Sequence, residues 1–588
     1  MMREKQLQVF GKQAVFQTPG SICLEPHEFI QSDFFRTFLG RYLGHLEETD
    51  HPVLARLGQK GDAGVRVEQL QAVFAALASA SLEDAALQCP HAVDFLAPAK
   101  RRALHDFVDG FYNFWRSYDR FMVIHSEPGP SSHDRRPYRS FTASIEAFTH
   151  LVRSLYRDLC ENISGDHPRI YRQVPAGCNA GLIAVPKASP LPPGVREAVA
   201  GISFIRQMWI DPPMILDPPC NTRTGSFEAA PRNPIEGMEL APDEWLCYPA
   251  QVGPLVVFIY FHLQFVGLGC ALGNLFELAT DKQIAAGPDA LFLYGAPPEV
   301  MKQYGEVPTV FFEDPGGLLV GAVPGEPRFG YFGYLKKMAL TLHNIAMIKR
   351  GRLPFHGAMV RILLRSGRAA TILIIGDTAT GKSESLEAFR TLGAERIRDM
   401  RIVADDMGSL QTGGDGRVLG YGTETGAFVR LDDLQPGFAF GQMDRAIFMS
   451  PNKVNARVVL PVTTMEDILA GFPVDYILYG NNFEPIDESH PVLERLEDVE
   501  VALATFSAGA AMSKGTTSSK GLTNSYFANP FGAPQFRELH EGLARRTFEA
   551  AYAGGVFVGQ IRTRLAIPGM EAEGPRAVAK ALLDLLEK

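Results

Sequence analysis

The spacing of apolar residues changes twice along this chain. Up to about residue 164, apolar residues recur at steps of three and four, which predicts amphipathic helices at 29–46, 67–78, 100–121 and 140–163. From 165 to 330 the apolar runs are short and separated by proline and glycine, a pattern typical of strands. After 330, helical and strand patterns alternate, and the chain ends on an amphipathic helix at 575–586. The pattern therefore predicts an α/β protein.

These changes divide the chain into three predicted regions. We expect a mainly helical N-terminal region at 1–164, a mixed α/β region at 165–330 and a second α/β region at 331–588. The apolar stretch 254–272 is as long as a membrane span, but it contains His262, Gln264 and several glycines. Because no cluster of basic residues flanks it, we predict a buried strand or helix pair there.

Composition and charge narrow the classes of function. The chain has 588 residues, of which 46% are hydrophobic and 21% charged, as in an ordinary globular enzyme. Its formal net charge of -9 argues against a general nucleic-acid binder. The seven cysteines form no C-x-x-C pair, and the first residues lack the apolar core of a signal peptide. We therefore expect a cytoplasmic protein with neither nucleic acid nor membrane as a partner. The sequence does not indicate an oligomeric state.

Residues 376–383, GDTATGKS, match the phosphate-binding pattern G-x-x-x-x-G-K-[ST]. The β-branched run TILII precedes them and the helix-forming ESLEAFRTL follows, which is the strand, loop and helix context that the pattern requires. Backbone N–H groups of such a loop face the phosphates. The predicted nucleotide-binding residues are Gly376, Asp377, Thr378, Ala379, Thr380, Gly381, Lys382 and Ser383. Lys382 is expected to reach the β- and γ-phosphates and Ser383 to bind Mg²⁺.

Two adjacent acids, Asp405 and Asp406, follow a short apolar strand predicted at 402–404. Such a pair can divide two tasks, one carboxylate binding a metal and the other orienting or deprotonating a nucleophile. The alternative is that the two acids only begin a turn. Beside a phosphate-binding loop, the functional interpretation is favoured.

Several of these motifs resemble known families. VADD at 403–406 behind GDTATGKSES resembles HPr kinase/phosphorylase, and a longer set resembles the ATP-using phosphoenolpyruvate carboxykinases of the same superfamily. YFGYLKK at 331–337 is similar to their Y-x-G-E-M-K-K, with the same spacing from Lys337 to His356. NARVVLP at 455–461 resembles the N-T-R-V-x-Y-P strand of these carboxykinases. The segments at 506–509 and 514–523 resemble the part of these enzymes that lies beside the adenine of the nucleotide. The resemblance covers about residues 330–588.

The resemblance implies a two-lobed carboxykinase-like fold with a helical N-terminal extension, and it implies ATP or another nucleotide together with Mg²⁺ and Mn²⁺. It assigns a divalent metal to Lys337, His356 and Asp406, and the substrate side to Tyr331. It further implies catalytic roles for Lys336, Lys382 and Arg457, and a place near the nucleotide base for Lys520.

The chain also departs from the family pattern. The segment T-G-R-S-P-K-D, which supplies the family's carboxylate-binding arginine, is absent. Arg172 and Arg223 are candidate replacements, because both lie in loops rich in small polar residues. Asp377 adds a negative charge beside the phosphate loop, and the gap from Lys382 to Asp405 is longer than in either family.

Three functions remain open on the sequence. The first is carboxykinase chemistry, in which oxaloacetate and ATP give phosphoenolpyruvate, CO₂ and ADP; its substrate is a small anion. The second is a kinase that phosphorylates a small alcohol or a protein serine, with Asp405 as general base because a hydroxyl is a poor nucleophile. The third is a nucleotide sensor without catalysis.

Overall fold

The chain folds into a mixed α/β structure, which confirms the predicted class. The computed structural model describes residues 6–19, 22–58, 62–126, 138–167, 174–377, 380–393, 395–434, 440–513, 521–532 and 534–587. Four predicted site residues lie outside these ranges: Arg172, Thr378, Ala379 and Lys520. The side chain of Ser383 is likewise not described.

Helices dominate the first described part of the chain. Its elements are β1 (Gln6–Phe10), β2 (Gln13–Thr18), α1 (Pro26–Gln31), α2 (Asp33–Glu48), α3 (Pro52–Leu57), α4 (Ala63–Leu77), α5 (Leu82–Gln88), α6 (Pro98–Arg116), β3 (Asp119–His125) and α7 (Tyr138–Ser164). The helix expected at 29–46 is interrupted at Ser32, whose hydroxyl accepts a hydrogen bond from the N–H of Phe35 and so caps α2.

The helix expected at 100–121 ends earlier, at Arg116, and Phe121 lies in β3. Both faces of β3 are buried: Phe121 and Val123 pack in one core, while Met122 and Ile124 pack in the other. A strand buried on both faces is a continuous apolar run, which periodicity alone does not separate from a helix.

The middle region completes an eleven-stranded sheet, the first sheet. Its elements are β4 (Ala180–Val185), α8 (Pro193–Ala198), β5 (Ser203–Ile210), β6 (Met214–Leu216), β7 (Glu228–Ala229), β8 (Trp245–Val252), β9 (Leu255–His262), α9 (Val266–Ala271), α10 (Asp281–Ala286), β10 (Ala290–Ala296), α11 (Pro298–Met301), β11 (Val310–Glu313) and β12 (Leu319–Pro324). Within the described residues the strand order is β1-β2-β3-β4-β5-β8-β9-β10-β12-β11-β7. The N-terminal strands thus extend the sheet of the middle region.

The apolar stretch 254–272 forms β9 and α9, and it is almost entirely buried. This agrees with the predicted strand or helix pair. In the parts of the chain that the structure describes, no helix is both long and apolar enough to cross a membrane.

The last region forms the second sheet and two smaller ones. Its elements are α12 (Phe332–Lys349), β13 (Leu353–Leu364), β14 (Ala369–Ile375), α13 (Lys382–Leu392), β15 (Ile397–Ala404), β16 (Met407–Thr412), β17 (Val418–Gly422), β18 (Gly426–Arg430), β19 (Ile447–Met449), β20 (Arg457–Pro461), α14 (Met465–Leu469), β21 (Phe472–Pro473), β22 (Tyr476–Asn481), β23 (Leu493–Arg495), α15 (Val499–Ala508), β24 (Ala510–Ser513), β25 (Gly521–Asn524), α16 (Arg537–Ala553), β26 (Phe557–Arg562) and α17 (Glu573–Glu587). The second sheet has the order β21-β17-β16-β13-β14-β22-β26-β23, with β15 also paired to β13. The third sheet, β18-β20-β19-β6, includes one strand from the middle region.

Helix α12 joins the two large sheets. It contacts β8, β9, β10 and β12 of the first sheet and β13 and β16 of the second. Along its 18 residues, all but Lys337 and Lys349 are buried. A helix that is apolar on every side belongs in a core. α12 is therefore the element that sets the position of one sheet against the other.

Strand β13 changes partner in its middle. Its first four residues pair with β16, up to His356 opposite Met407, and its later residues pair with β15 from Met359 onward. The chain segment between β15 and β16 is Asp405–Asp406, so both acids lie where the ladder is interrupted. Gly357 spans this gap, and a side chain there would come within 2.4 Å of the carbonyl oxygen of Ile374.

The buried imidazole of His343 on α12 predicts acid sensitivity. Burial lowers the pKa of His343 to about 4, from an ordinary 6.5, and burial likewise lowers the pKa of His540 to about 4. At each of these histidines the unfolded chain binds more protons between pH 6.5 and 4, so each lowers stability by about 3 kcal/mol as pH falls through this window. Buried acids with raised pKa values, such as Glu424 and Asp405, act in the opposite direction, so the test is a difference between variants. Over this window the stability of His343→Gln, measured by urea unfolding, should change by about 3 kcal/mol less unfavourably than that of the wild type. The exposed control His91→Gln should change as the wild type does; a pH dependence of His343→Gln equal to that of the wild type would contradict the prediction.

Candidate active site

The predicted phosphate-binding loop lies between β14 and α13, in the strand, loop and helix order that the sequence predicts. The N–H of Gly376 donates to the carbonyl oxygen of His356 at 3.1 Å, which joins the loop to β13. The hydroxyl of Thr380 donates to the carbonyl oxygen of Asp377 at 2.8 Å, and the hydroxyl of Thr563 donates to the carbonyl oxygen of Thr380 at 2.8 Å. Both ends of the loop are thus held by neighbouring strands.

Gly381 precedes the first turn of α13 with a φ of +88°, a conformation that glycine adopts without strain. The next residue, Lys382, is buried, and its Nζ donates to the carbonyl oxygens of Gly376 at 2.5 Å and Asp377 at 2.9 Å. Burial lowers the pKa of Lys382. The ammonium group therefore lies inside the loop, where an anion bound to the backbone N–H groups would meet it.

Asp406 and His356 meet across the interrupted ladder. The N–H of Gly357 donates to the carbonyl oxygen of Asp406 at 2.9 Å, and Nε2 of His356 lies 2.9 Å from Asp406 Oδ1. Nδ1 of His356 contacts the carbonyl oxygen of Ala528, which can only accept a hydrogen bond, so Nδ1 carries the hydrogen. Nε2 consequently directs its lone pair at the carboxylate of Asp406. A proton or a cation is needed between these two atoms.

Lys336 places a buried positive charge beside this pair. Its Nζ donates to Asp406 Oδ2 at 2.8 Å and lies 3.1 Å from Glu424 Oε1. Burial alone would lower the pKa of Lys336, but Asp406 and Glu424 outweigh it and raise that pKa above its ordinary value. Lys336 also holds the pKa of Asp406 well below its usual range against the effect of burial. Lys336 therefore stays charged and keeps Asp406 ionised.

Glu424 is a site residue that the sequence predictions missed. Its side chain is completely buried, and burial raises its pKa above the ordinary value even though Lys336 acts in the opposite direction. Neither carboxylate oxygen makes a hydrogen bond to a described residue, so its contact with Lys336 is electrostatic. In the sequence, Glu424 is an acid in the small-residue segment TETG between two apolar strands. This pattern is too common to identify Glu424 as a site residue.

Lys337 approaches the same centre from the next position of α12. Its Nζ lies 4.8 Å from the centroid of the Phe531 ring, and the imidazole of His356 lies 5.8 Å from that ring. Burial and the charge of Arg223 lower the pKa of Lys337 to about 8, although Asp406 and Asp377 act to raise it. Near that pH a large fraction of the amine is neutral and has a lone pair to offer.

The three predicted metal ligands offer a mixed set of donor atoms. Lys337 and His356 would each offer a nitrogen and Asp406 an oxygen, a mixed set that suits Mn²⁺. In the described residues, no group of three or more histidine, cysteine, aspartate or glutamate side chains could hold a metal ion. The predicted site therefore depends on the lysine nitrogen as its third ligand.

Asp405 differs electrostatically from its neighbour. Burial raises the pKa of Asp405 to about 6, partly offset by Lys336. The charge of Lys382 also lowers this pKa. A carboxylate with this pKa is ionised at neutral pH and is basic enough to accept a proton.

Arg457 and Tyr331 both lie next to the ring of Phe428. The guanidinium carbon of Arg457 is 5.3 Å from the centroid of Phe428, and the ring of Tyr331 is 5.9 Å from it. Nε of Arg457 donates to Asn455 Oδ1 at 3.0 Å. The structure therefore brings the predicted phosphate-binding arginine and the predicted substrate-side tyrosine to the same wall.

The loop that carries Arg223 contacts α12, the helix of Lys337, because the N–H of Thr224 donates to the hydroxyl oxygen of Tyr334 at 3.0 Å. Nη1 of Arg223 donates to the carbonyl oxygen of Gly225 at 2.6 Å, and Nε of Arg223 is buried without a partner among the described residues. Two amides hold this loop against the next: Asn221 donates to the carbonyl oxygen of Val454 at 2.6 Å, and Asn455 donates to the carbonyl oxygen of Asn221 at 2.5 Å. Of the two candidate arginines, Arg223 is the one that the described structure places beside the lysine pair.

We predict that Lys336→Met destabilises the fold by about 3 kcal/mol, because it leaves buried carboxylates without their cation. Adding Glu424→Gln should restore part of this loss, since one of those carboxylates is then removed. Chemical unfolding of both single variants and the double variant measures the coupling. The exposed pair Arg545–Glu500 is the control, and Arg545→Met should change stability little. Additive effects of Lys336→Met and Glu424→Gln would contradict the prediction.

The chain was also compared with known proteins. It matches no protein-family model and no curated protein sequence. Proposals about its function therefore depend on the contacts of its own side chains.

Proposed function

We propose that this chain is a nucleotide- and metal-dependent phosphotransferase of the carboxykinase type, with a two-lobed carboxykinase-like fold. The reaction would convert oxaloacetate and ATP into phosphoenolpyruvate, CO₂ and ADP. One observation carries the proposal: Lys336, Lys337, His356 and Asp406 converge where the phosphate-binding loop joins β13. Two lysines beside a histidine and an aspartate are the combination on which the resemblance depends.

The phosphate-binding loop and α13 would hold the nucleotide. Backbone N–H groups would bind the phosphate oxygens, and the buried ammonium of Lys382 would neutralise their charge. Arg457, on the wall formed by Phe428, would stabilise charge on the phosphoryl group during transfer. No covalent intermediate on the protein is needed, because positioning and charge compensation account for most of the catalysis of phosphoryl transfer.

Lys337, His356 and Asp406 would hold a divalent metal, and the hydroxyl of Ser383 is proposed to contact the nucleotide's Mg²⁺. Bound there, the metal would supply Lewis-acid stabilisation of negative charge on substrate oxygens. The chain itself prepares these ligands. The carbonyl of Ala528 orients His356, Lys336 keeps Asp406 ionised, and burial together with Arg223 shifts Lys337 toward the neutral amine.

Arg223 and Tyr331 would bind the acceptor. Arg223 would pair with a carboxylate of oxaloacetate, replacing the family segment that this chain lacks. Loss of CO₂ breaks a carbon–carbon bond and leaves its electron pair in an enolate. The enolate oxygen would attack the γ-phosphorus as ADP leaves, so this route needs no general base.

Lys337→Ala should abolish the carboxykinase reaction. We expect oxaloacetate formation from phosphoenolpyruvate, ADP and bicarbonate, measured with Mn²⁺ and Mg²⁺, to fall by at least about 100-fold while ATP binding persists. Lys349→Ala is the matched control, since Lys349 lies at the exposed end of the same helix. Wild-type protein that binds ATP but forms no oxaloacetate would contradict the carboxykinase assignment, and binding without any turnover would favour the nucleotide sensor.

Arg223→Met should raise the KM for phosphoenolpyruvate by about 10- to 100-fold, because a charge-assisted contact to a carboxylate contributes about 1.5–3 kcal/mol. The turnover number should change much less. Steady-state kinetics separate the two constants, with the exposed Arg232→Met as the control. An unchanged KM would remove Arg223 from the acceptor site.

A kinase that acts on an alcohol is the second candidate. It is favoured by a specific observation: Asp405 lines a large, mainly apolar cavity while also lying near Lys382. An apolar cavity does not favour binding of a charged dicarboxylate such as oxaloacetate. A hydroxyl nucleophile, in contrast, needs a general base, and the carboxylate of Asp405 can act as one.

A further inference from the structure

A cavity of about 710 Å³ lies behind the phosphate-binding helix. It opens to the surface and is lined by α13, by strands β13 and β15 of the second sheet, by β18 and β20 of the third sheet, and by residues at the start of α17. This volume falls within the range of sites that bind small molecules. Of the predicted site residues that the structure describes, only Asp405 belongs to its wall.

The wall of the cavity is mainly apolar. Five aliphatic side chains from four strands contribute to it: Val360, Ile402, Ala427, Val429 and Leu460. The described residues of the wall include four carboxylates and only one guanidinium, that of Arg576. Apolar walls favour an apolar ligand body, and the excess of carboxylates disfavours an anion.

Asp405 connects the cavity to the site of phosphoryl transfer. Asp405 lines the cavity, and the next residue, Asp406, accepts a hydrogen bond from Nζ of Lys336 at 2.8 Å. Glu384, two residues after Lys382 on α13, also lines the cavity. A ligand inside the cavity that extends to Asp405 would therefore place its polar end near the nucleotide's terminal phosphate.

We propose that this cavity is the acceptor site for a small alcohol with an apolar body, whose hydroxyl group reaches Asp405. The proposal rests on the second candidate function. The hydroxyl oxygen forms a bond to the γ-phosphorus as the bond from that phosphorus to the β–γ bridging oxygen breaks. ADP leaves with the bonding electrons, and the hydroxyl proton passes to Asp405. The product is a phosphate monoester.

Occupancy of the cavity is tested first with the uncharged dye N-phenyl-1-naphthylamine, whose fluorescence rises in an apolar environment. We expect one dye per chain, displaced by 1-octanol. Thr391→Trp, which fills the cavity from α13, should raise the dye's Kd at least tenfold, and Leu392→Trp is a second filling variant. Thr49→Trp is the matched control, because both threonines are exposed and each hydroxyl donates to the carbonyl four residues earlier. Equal binding by control and filling variants would overturn the proposal.

The orientation of the ligand is tested by comparing 1-octanol with octanoate. If the polar end reaches Asp405, a carboxylate there is repelled, and octanol should displace the dye at a concentration at least tenfold lower than octanoate. Asp405→Asn should shrink this preference, because the repelling charge is gone. A preference that is unchanged in Asp405→Asn would show that the polar end lies elsewhere and would overturn the proposal.

Transfer is tested by incubating the full chain with ATP, Mg²⁺ and 1-octanol and following ADP and the phosphate ester by ³¹P NMR. Ester formation that falls at least 100-fold in Asp405→Asn would support the acceptor role. Dye binding and ATP binding without any ester would overturn the acceptor role, and carboxykinase turnover in the same preparation would leave the first function intact. Dye binding without ATP binding would instead overturn the proposed phosphotransferase.

Discussion

The buried charge of Lys336 is the interaction on which the rest of the site depends. Burying an ammonium group is costly unless opposite charges compensate it, and Asp406 and Glu424 provide this compensation for Lys336. Asp406 is held ionised by that charge and lies against His356. The helix that carries Lys336 also carries Lys337 and packs between the two large sheets. One buried ion cluster therefore links the orientation of the sheets to the geometry of the proposed metal ligands.

The partner change along β13 supplies the second constraint. A regular ladder would turn successive side chains to opposite faces and would leave no space for two adjacent acids. Because β13 pairs first with β16 and then with β15, the segment between those strands can turn Asp406 toward His356. Asp405 takes a different environment, where it lines the apolar cavity. The interruption of the ladder thus gives the two neighbouring carboxylates different electrostatic environments.

The local sequence predicted those features of the fold and site that depend on residues close together along the chain. The phosphate-binding loop, its strand and its helix were predictable, since each depends on contacts within about ten residues. The terminal helix and most N-terminal helices followed from periodicity, but the overlong helix ending at 121 did not, because β3 is buried on both faces. Glu424 was missed for a similar reason: its importance comes from a lysine almost ninety residues away in the chain, and no local pattern reports that.

The sequence by itself determined the α/β class, the strand, loop and helix around Lys382, and the set of residue types available for phosphate and metal binding. Only the tertiary structure decided that Lys337 lies beside Phe531 and Arg223, that Asp405 borders a cavity, and that the N-terminal strands extend the first sheet. The physical reason is the range of the interactions. Hydrogen bonding and periodicity act over a few residues, whereas the pKa of a side chain and the shape of a cavity depend on burial by distant segments.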